Sequence, residues 1–316
     1  MASFSHLVKD ELARLESNEV ELIAELAALI RMNGTLHLSS KGYTLDVKTE
    51  NAAVARRIYK LIKAKFDAES DIIVRRKMKL NKNNVYIIKF NTKVDEILEA
   101  LTIMTEEGLT NHPKEYIISD DETKRAYLRG LFLAKGSVNN PKTAKYHLEI
   151  KVLDEKHGEF VIDILNQYNL NAKLLSRKKN YIVYVKEAEK ISDFLRYCGA
   201  SSAVLFYEDI RILRDYRNMT NRMNNCEQAN ENRIHATASK QIGYIDVIKE
   251  HMGEDLVDDK IKEVMEFRVK YPESSLSELA EIMTHELGNS ISKSGLNHRF
   301  RKIKQLATRI LETQEK

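Results

Sequence analysis

Apolar and polar residues alternate along this chain in a pattern that repeats. Helical spacing over residues 20–33 is followed by two short alternating runs, 35–39 and 43–48, which predict strands joined by a turn at Lys41-Gly42. A helical run over 52–66 comes next, then a hairpin pairing 72–79 with 85–90 through Asn81-Lys82-Asn83-Asn84, then a helix over 94–107. Residues 124–134 restart the series. Strands near 137–139 and 146–152, a helix over 155–168, strands at 172–176 and 181–185 and a helix over 187–197 complete it. Ahead of both copies, Ser5 is placed to cap a helix reaching about Leu15. Each copy predicts a four-stranded sheet with helices on one face, an α+β arrangement.

A shift of 102 residues aligns Ala24 with Ala126, Ala28 with Gly130, Met32 with Ala134 and Gly34 with Gly136. The flanks agree. Leu45-Asp46-Val47-Lys48 matches Leu148-Glu149-Ile150-Lys151, and Tyr86-Ile87-Ile88 matches Tyr181-Ile182-Val183. Ala24 and Ala28, like Ala126, Gly130 and Ala134, fall on one helical stripe. Small residues there let two helices approach more closely than the usual ~8–10 Å. The glycine closing each helix is expected in a left-handed conformation.

The repeated segments read Leu26-Ala27-Ala28-Leu29-Ile30-Arg31-Met32-Asn33-Gly34 and Leu128-Arg129-Gly130-Leu131-Phe132-Leu133-Ala134-Lys135-Gly136. Both resemble the LAGLIDADG motif of homing endonucleases. In that family the residue before the final glycine is an acid that binds a divalent metal. Here those positions are Asn33 and Lys135. The resemblance implies the fold of a DNA-cutting enzyme, and the departures argue against cutting: an amide is a neutral ligand, and an ammonium repels the cation. Glu25 and Glu149 lie near the motifs, but neither occupies the signature position. No catalytic residue, metal site or cofactor is assigned. Phosphate-loop and H-E-x-x-H patterns are absent.

After a helix expected over 205–217, residues 218–232 hold six asparagines in fifteen positions, which disfavours regular structure and reads as a linker, a polar helix end being the alternative. This divides the chain into a duplicated domain, 1–217 (repeats at about 19–110 and 120–200), the linker 218–232, and a helical domain, 233–316. The last begins with an amphipathic run over 235–252. Helices over 260–270, 276–286 (capped by Ser275) and 293–311 (capped by Ser292) follow, with Gly288-Asn289-Ser290 between the final two. Leu296, Phe300, Ile303, Ala307 and Ile310 mark one face of the last helix, and the short glycine turn predicts a helix-turn-helix at about 275–309.

Charge sharpens that prediction. Residues 256–291 carry eight acids and four bases, whereas 292–304 carry five bases and no acid. Ser294, His298, Arg301, Lys302 and Gln305 lie opposite the apolar face, Asn297 borders them, and Lys293, Arg299 and Lys304 flank them. Arg, Asn and Gln can read base edges while Lys and flanking Arg meet phosphates. A second basic surface is formed by the hairpins, with Arg75, Arg76, Lys77 and Lys79 in the first copy and Lys173, Arg177, Lys178 and Lys179 in the second. These residues either line a saddle over DNA or form solvated hairpin tips.

Degenerate repeats, Asn221-Arg222-Met223-Asn224-Asn225-Cys226-Glu227-Gln228-Ala229-Asn230, and Ser292-Lys293-Ser294-Gly295-Leu296-Asn297-His298-Arg299 together resemble the WhiA family of bacterial transcription regulators. The resemblance covers essentially the whole chain. It implies a duplicated LAGLIDADG homing-endonuclease-like domain followed by an all-α helix-turn-helix domain. It also implies a DNA-binding regulator tied to sporulation in some bacteria, and to cell division and chromosome segregation in non-sporulating relatives. Double-stranded DNA is the implied partner, with RNA polymerase or a sigma factor as a protein partner. An active endonuclease and a protein-interaction scaffold are the rival functions.

Composition is compatible with this. The 316 residues favour two or three domains, 43% hydrophobic content supports real cores, and a net charge of +4 permits nucleic-acid binding without requiring it. The two cysteines, Cys198 and Cys226, form no C-x-x-C pair and are expected as free thiols in a reducing compartment. With no apolar run near ~18 residues and no signal-peptide pattern, the expected location is the cytoplasm, at the nucleoid.

Overall fold

Side-chain caps mark the start of most of the helices. The computed structural model describes residues 3–40, 42–76, 84–177, 180–252 and 257–314, and these fall into two units, Met1–Arg214 and Asp215–Lys316.

In the first unit, Ser3 rather than Ser5 caps α1 (Phe4–Leu12), accepting the His6 N–H at 3.2 Å. Ser5 instead bonds across the fold to the Val138 backbone, donating to its carbonyl at 2.7 Å and accepting from its N–H at 2.8 Å. Helix α2 (Glu19–Asn33) starts at Asn18 with a reciprocal capping box to Glu21. Strands β1 (Gly34–Ser39) and β2 (Gly42–Thr49), α3 (Ala52–Phe66), β3 (Ser70–Arg76), β4 (Asn84–Phe90) and α4 (Val94–Ala100) follow. A small hairpin, β5 (Met104–Thr105) with β6 (Gly108–Leu109), and a 3-10 turn, Glu115–Ile118, lead to the second copy. There α5 (Asp121–Lys135), β7 (Gly136–Val138), β8 (Leu148–Val152), α6 (Glu155–Gln167), β9 (Lys173–Arg177), β10 (Asn180–Val185) and α7 (Ala188–Cys198) repeat the order. Asp120 caps α5 with the same reciprocal box, here to Thr123.

The two antiparallel sheets have corresponding strand orders, β1-β2-β4-β3 and β7-β8-β10-β9. In each, alternate residues such as Leu45, Val47, Ile88 and Phe90, or Leu148, Ile150, Val183 and Val185, are buried in one shared core. Complete burial of a side chain of this kind contributes about 1.5–3 kcal/mol. Helices α2 and α5 pack against each other at the centre. A Cβ on Gly130 would lie 2.5 Å from the Glu25 carbonyl oxygen and 2.8 Å from the Ala28 Cβ, so the small stripe is needed for close approach.

Three further expectations are corrected. The glycines ending α2 and α5 are not left-handed: Gly34 has φ −73° and ψ 147°, and Gly136 φ −76° and ψ 151°. They are required by space, because a Cβ would fall 2.5 Å from the Ile30 carbonyl oxygen at Gly34 and 2.3 Å from the Phe132 Cδ2 at Gly136. The helix expected over 94–107 ends at Ala100. Thr102 there adopts φ 51°, its carbonyl accepts Arg31 Nη2 at 3.0 Å and its hydroxyl accepts the Lys114 N–H at 3.1 Å, so tertiary contacts override local preference. Lastly, residues 218–232 are not irregular. They lie inside α8 (Ser201–His251). The stretch contains neither Gly nor Pro, and asparagine costs a helix only about 0.7 kcal/mol or less relative to alanine.

In the second unit α8 is followed by α9 (Asp259–Lys270), α10 (Leu276–Leu287) and α11 (Lys293–Gln314). Their core joins Ile245 and Ile248 of α8 to Val264 and Met265 of α9, Leu279 and Met283 of α10, and Leu296, Phe300, Ile303 and Ala307 of α11. Cys198 is buried, Cys226 is exposed, and both are free thiols.

Candidate nucleic-acid interface

Ser275 begins α10 with a capping box to Glu278. Gly288 ends it at φ 71°, returning its N–H to the Thr284 carbonyl at 3.1 Å. The Thr284 hydroxyl then accepts the Ile291 N–H at 3.0 Å and fixes the turn. Ser292 opens α11, its hydroxyl accepting the Gly295 N–H at 3.1 Å. The fixed turn and the buried apolar face set the rotation of α11 about its axis.

Behind α11 lies a residue that the sequence reading missed. Arg268 is only 1% exposed. Its Nη1 donates to the Ser274 carbonyl at 2.7 Å and the Tyr271 carbonyl at 3.3 Å, and its guanidinium carbon sits 5.4 Å from the Phe300 ring centroid. It therefore ties α9 and the connection before α10 to the buried side of α11. Its position inside the apolar spacing of α9 was the available signal.

The opposite side of α11 is open. Lys293, Ser294, Asn297, His298, Arg301, Lys302, Lys304 and Gln305 are all exposed. Arg299 differs: it is half-buried, and its Nη1 is buried without an acceptor among the described residues. Position 299 borders the apolar face, three residues after Leu296 and four before Ile303. Lys293, Arg301, Lys302 and Lys304 form no ion pair among the described residues. The first turn contains no acid, so these charges add to the positive amino end of the helix dipole.

The degenerate motif ends meet in the first unit. Asn33 and Lys135 line one cleft of about 790 Å³, together with Lys9, Lys48 and Glu50. Burial, then the neighbouring Lys151, lowers the pKa of Lys135 from its usual value, while Glu50 opposes the shift. Among the described residues no three His, Cys, Asp or Glu side chains converge as a metal site.

Glu25, considered above as an acid near the motif, is fully buried and engaged elsewhere. Arg57 grips it with Nε at 2.8 Å and Nη2 at 2.9 Å, and Arg129 adds its Nε at 2.8 Å. Both arginines also reach the Ser17 hydroxyl, and Arg57 Nη1 donates to the Leu15 carbonyl. The carboxylate locks α2, α3 and α5 together. A charged residue within the apolar run 22–32 demands such partners, which was the missed signal. At the equivalent place in the second copy, Tyr127 meets His157 Nε2 at 3.1 Å. The Leu153 N–H donates to Nδ1 at 3.3 Å, so Nε2 carries the proton and donates to the Tyr127 oxygen. The other nearby acid, Glu149, is half-exposed and 3.4 Å from His147.

Three of the eight hairpin bases, Arg75, Arg76 and Lys173, have described side chains. Arg75 and Arg76 are adjacent in β3 and exposed, and so point to opposite faces of the sheet. Lys89 of β4 is flanked across the strands by Asp46 and Asp71, and Asp46 also lies 3.3 Å from His37 and 3.9 Å from Lys48. In the second copy Lys173 is exposed and shares a cross-strand row with Tyr184 and Glu149. Lys77, Lys79, Lys178 and Lys179 lie outside the described residues, as does the side chain of Arg177.

Fold and sites together define an α+β protein with two LAGLIDADG-like repeats, degenerate at both motif ends, followed by a helix-turn-helix region. Three family models match it: the WhiA N-terminal LAGLIDADG-like domain over residues 19–104, the WhiA LAGLIDADG-like domain over 124–217, and the WhiA C-terminal HTH domain over 220–307. The chain belongs to the WhiA family. It is 49% identical to a Latilactobacillus sakei protein over 97% of this chain and 98% of that one. It is 48% identical to one from Staphylococcus saprophyticus over 98% and 97%. Both are named "Probable cell division protein WhiA". Among solved structures it resembles full-length DUF199/WhiA from Thermatoga maritima, at 25% identity and TM-score 0.57, covering 98% of this chain and 99% of that one. No helix among the described residues is long and apolar enough to cross a membrane.

Proposed function

We propose that the protein is a non-catalytic, sequence-specific DNA-binding regulator of cell division, acting in the cytoplasm at the nucleoid, with roles in chromosome segregation and, in sporulating relatives, sporulation. The single observation carrying this reading is the α11 surface. Four bases without an ion pair among the described residues share it with Ser294, Asn297, His298 and Gln305, a combination suited to phosphate contact and base reading together. Arg301 is assigned to base edges, and Lys293, Lys302 and Lys304 to phosphates. Arg299 is assigned to a flanking phosphate.

The motif ends support the absence of cutting. Asn33 and Lys135 supply no carboxylate, and Glu25 is held by two arginines. Duplex DNA carrying the protein's target, incubated with the purified protein with and without Mg²⁺, tests both halves. A retarded, uncut duplex under both conditions is expected. Metal-dependent nicking would overturn the non-catalytic reading, and no retardation would overturn DNA binding.

A second reading adds a protein partner, such as RNA polymerase or a sigma factor. Strand β3 is a sheet edge, and Ile72 and Val74 on it are each 55% exposed. An unpaired apolar edge is suited to strand addition by another chain. Pull-down of purified polymerase and sigma factor with wild type and Val74→Lys tests it; equal recovery would overturn it.

A further inference from the structure

The cleft at the carboxyl ends of α2 and α5 brings together several cations and an amide donor. Lys9, from α1, and Lys135 both line it, and neither has a carboxylate in an ion pair among the described residues. Lys48 on the same wall has Asp46 at 3.9 Å, and Glu50 is the one acid among the described lining residues. Lys9 is half-buried, with its ammonium 5.8 Å from the Phe132 ring centroid. Burial, then repulsion from Lys135, pushes its pKa down to about 8. Asn33 is 6% exposed, lines the same cleft, and its amide nitrogen has no acceptor among the described residues.

A desolvated ammonium beside another cation is unfavourable until an anion joins them. The arrangement also discriminates among anions. Two point charges and an amide N–H from three elements suit an oxyanion that presents oxygens in several directions and carries up to two charges. A planar carboxylate offers two oxygens and one charge. The cleft is large enough for a phosphate with a substituent attached.

We propose that this cleft binds a phosphate group through Lys9, Lys135 and Asn33. The phosphate belongs either to the backbone of bound DNA or to a free phosphorylated small molecule, and the chemistry is common to both. The inference is independent of α11, because the first arm of its test contains no DNA.

In that arm the full-length protein is melted in pyrophosphate and in chloride at equal ionic strength, and pyrophosphate binding is followed by phosphorus NMR. Wild type should melt higher in pyrophosphate. A Lys9→Met/Lys135→Met variant should lose that shift and bind pyrophosphate at least about ten-fold more weakly, as expected when charge-assisted contacts are removed. In chloride the variant should melt at or above wild type, since the repulsion between the two ammonium groups is gone, which separates lost binding from lost folding. Lys156→Met, exposed on α6, serves as the control and should behave as wild type.

The second arm is a salt titration of duplex binding. A log–log slope reduced by about one in the double variant assigns the phosphate to DNA. An unchanged slope together with the pyrophosphate effects assigns it to a free ligand. If pyrophosphate affects wild type and the double variant alike and their salt slopes coincide, the proposal is wrong. Wild-type recognition of DNA in that result would leave the α11 reading intact.

Discussion

Arg57 and Arg129 carry the same charge as Arg301 and Lys302, but in a different setting. The first pair closes around the buried Glu25 carboxylate, while the second faces solvent without an ion-pair partner among the described residues. The contrast shows that a basic residue is available to DNA only when the fold leaves it unmatched. The central pair holds three helices together, and its charges are met where they stand, by Glu25 and by Glu21, 3.7 Å from Arg129. On α11 the apolar contacts of Leu296, Phe300, Ile303 and Ala307 do the holding, and the opposite face is left exposed.

Breaking the central cluster should give the largest effect. Glu25→Gln removes the carboxylate that two buried guanidiniums share and should cost about 3–5 kcal/mol. Chemical denaturation checks this; an unchanged midpoint would mean that the arginines find other partners.

Acid should act next, through the second copy. Burial first, then the Arg31 charge, lower the His157 pKa from 6.5 to about 4. Between those values the unfolded chain binds a proton that the folded chain does not. Stability is therefore complete above about pH 6.5 and falls as the pH drops toward 4, by roughly 3 kcal/mol in all. His157→Gln should flatten that part of the pH–stability curve.

Gly130→Ala comes third. Its Cβ would meet the Glu25 carbonyl oxygen and Ala28 at 2.5 and 2.8 Å, and the overpacking should cost about 1–3 kcal/mol. A melting temperature equal to wild type would contradict the close approach of α2 and α5.

The same contrast explains which features the sequence made legible. Period and caps mark local structure, so α3 was bounded at Ala52 and Phe66 and the Ser275 and Ser292 caps were found. The two sheets followed from alternation and duplication. Features decided by distant residues were hidden. The early end of α4 depends on Arg31 reaching Thr102 and Thr110. The glycines at 34 and 136 answer to space rather than to backbone angle. Runs of bases in the hairpins looked uniform along the chain, yet cross-strand pairing brings Asp46 and Asp71 beside Lys89. Residues 218–232 stay helical because asparagine, unlike glycine or proline, weakens a helix only slightly. On α11 the exposed polar stripe was legible from the wheel, because one helix and its own apolar face fix it; the partial burial of Arg299 needed the neighbouring core.

The measurement that bears most directly on the exposed charge of α11 is a salt titration of wild type, Arg301→Ala and Lys302→Ala on a specific and a random duplex. Arg301→Ala should lose about 1–3 kcal/mol on the specific duplex and relax recognition at one base position. Lys302→Ala should weaken both duplexes alike and reduce the salt slope by about one. If both variants keep wild-type affinity and slope on both duplexes, the charge left open on α11 is not what binds DNA.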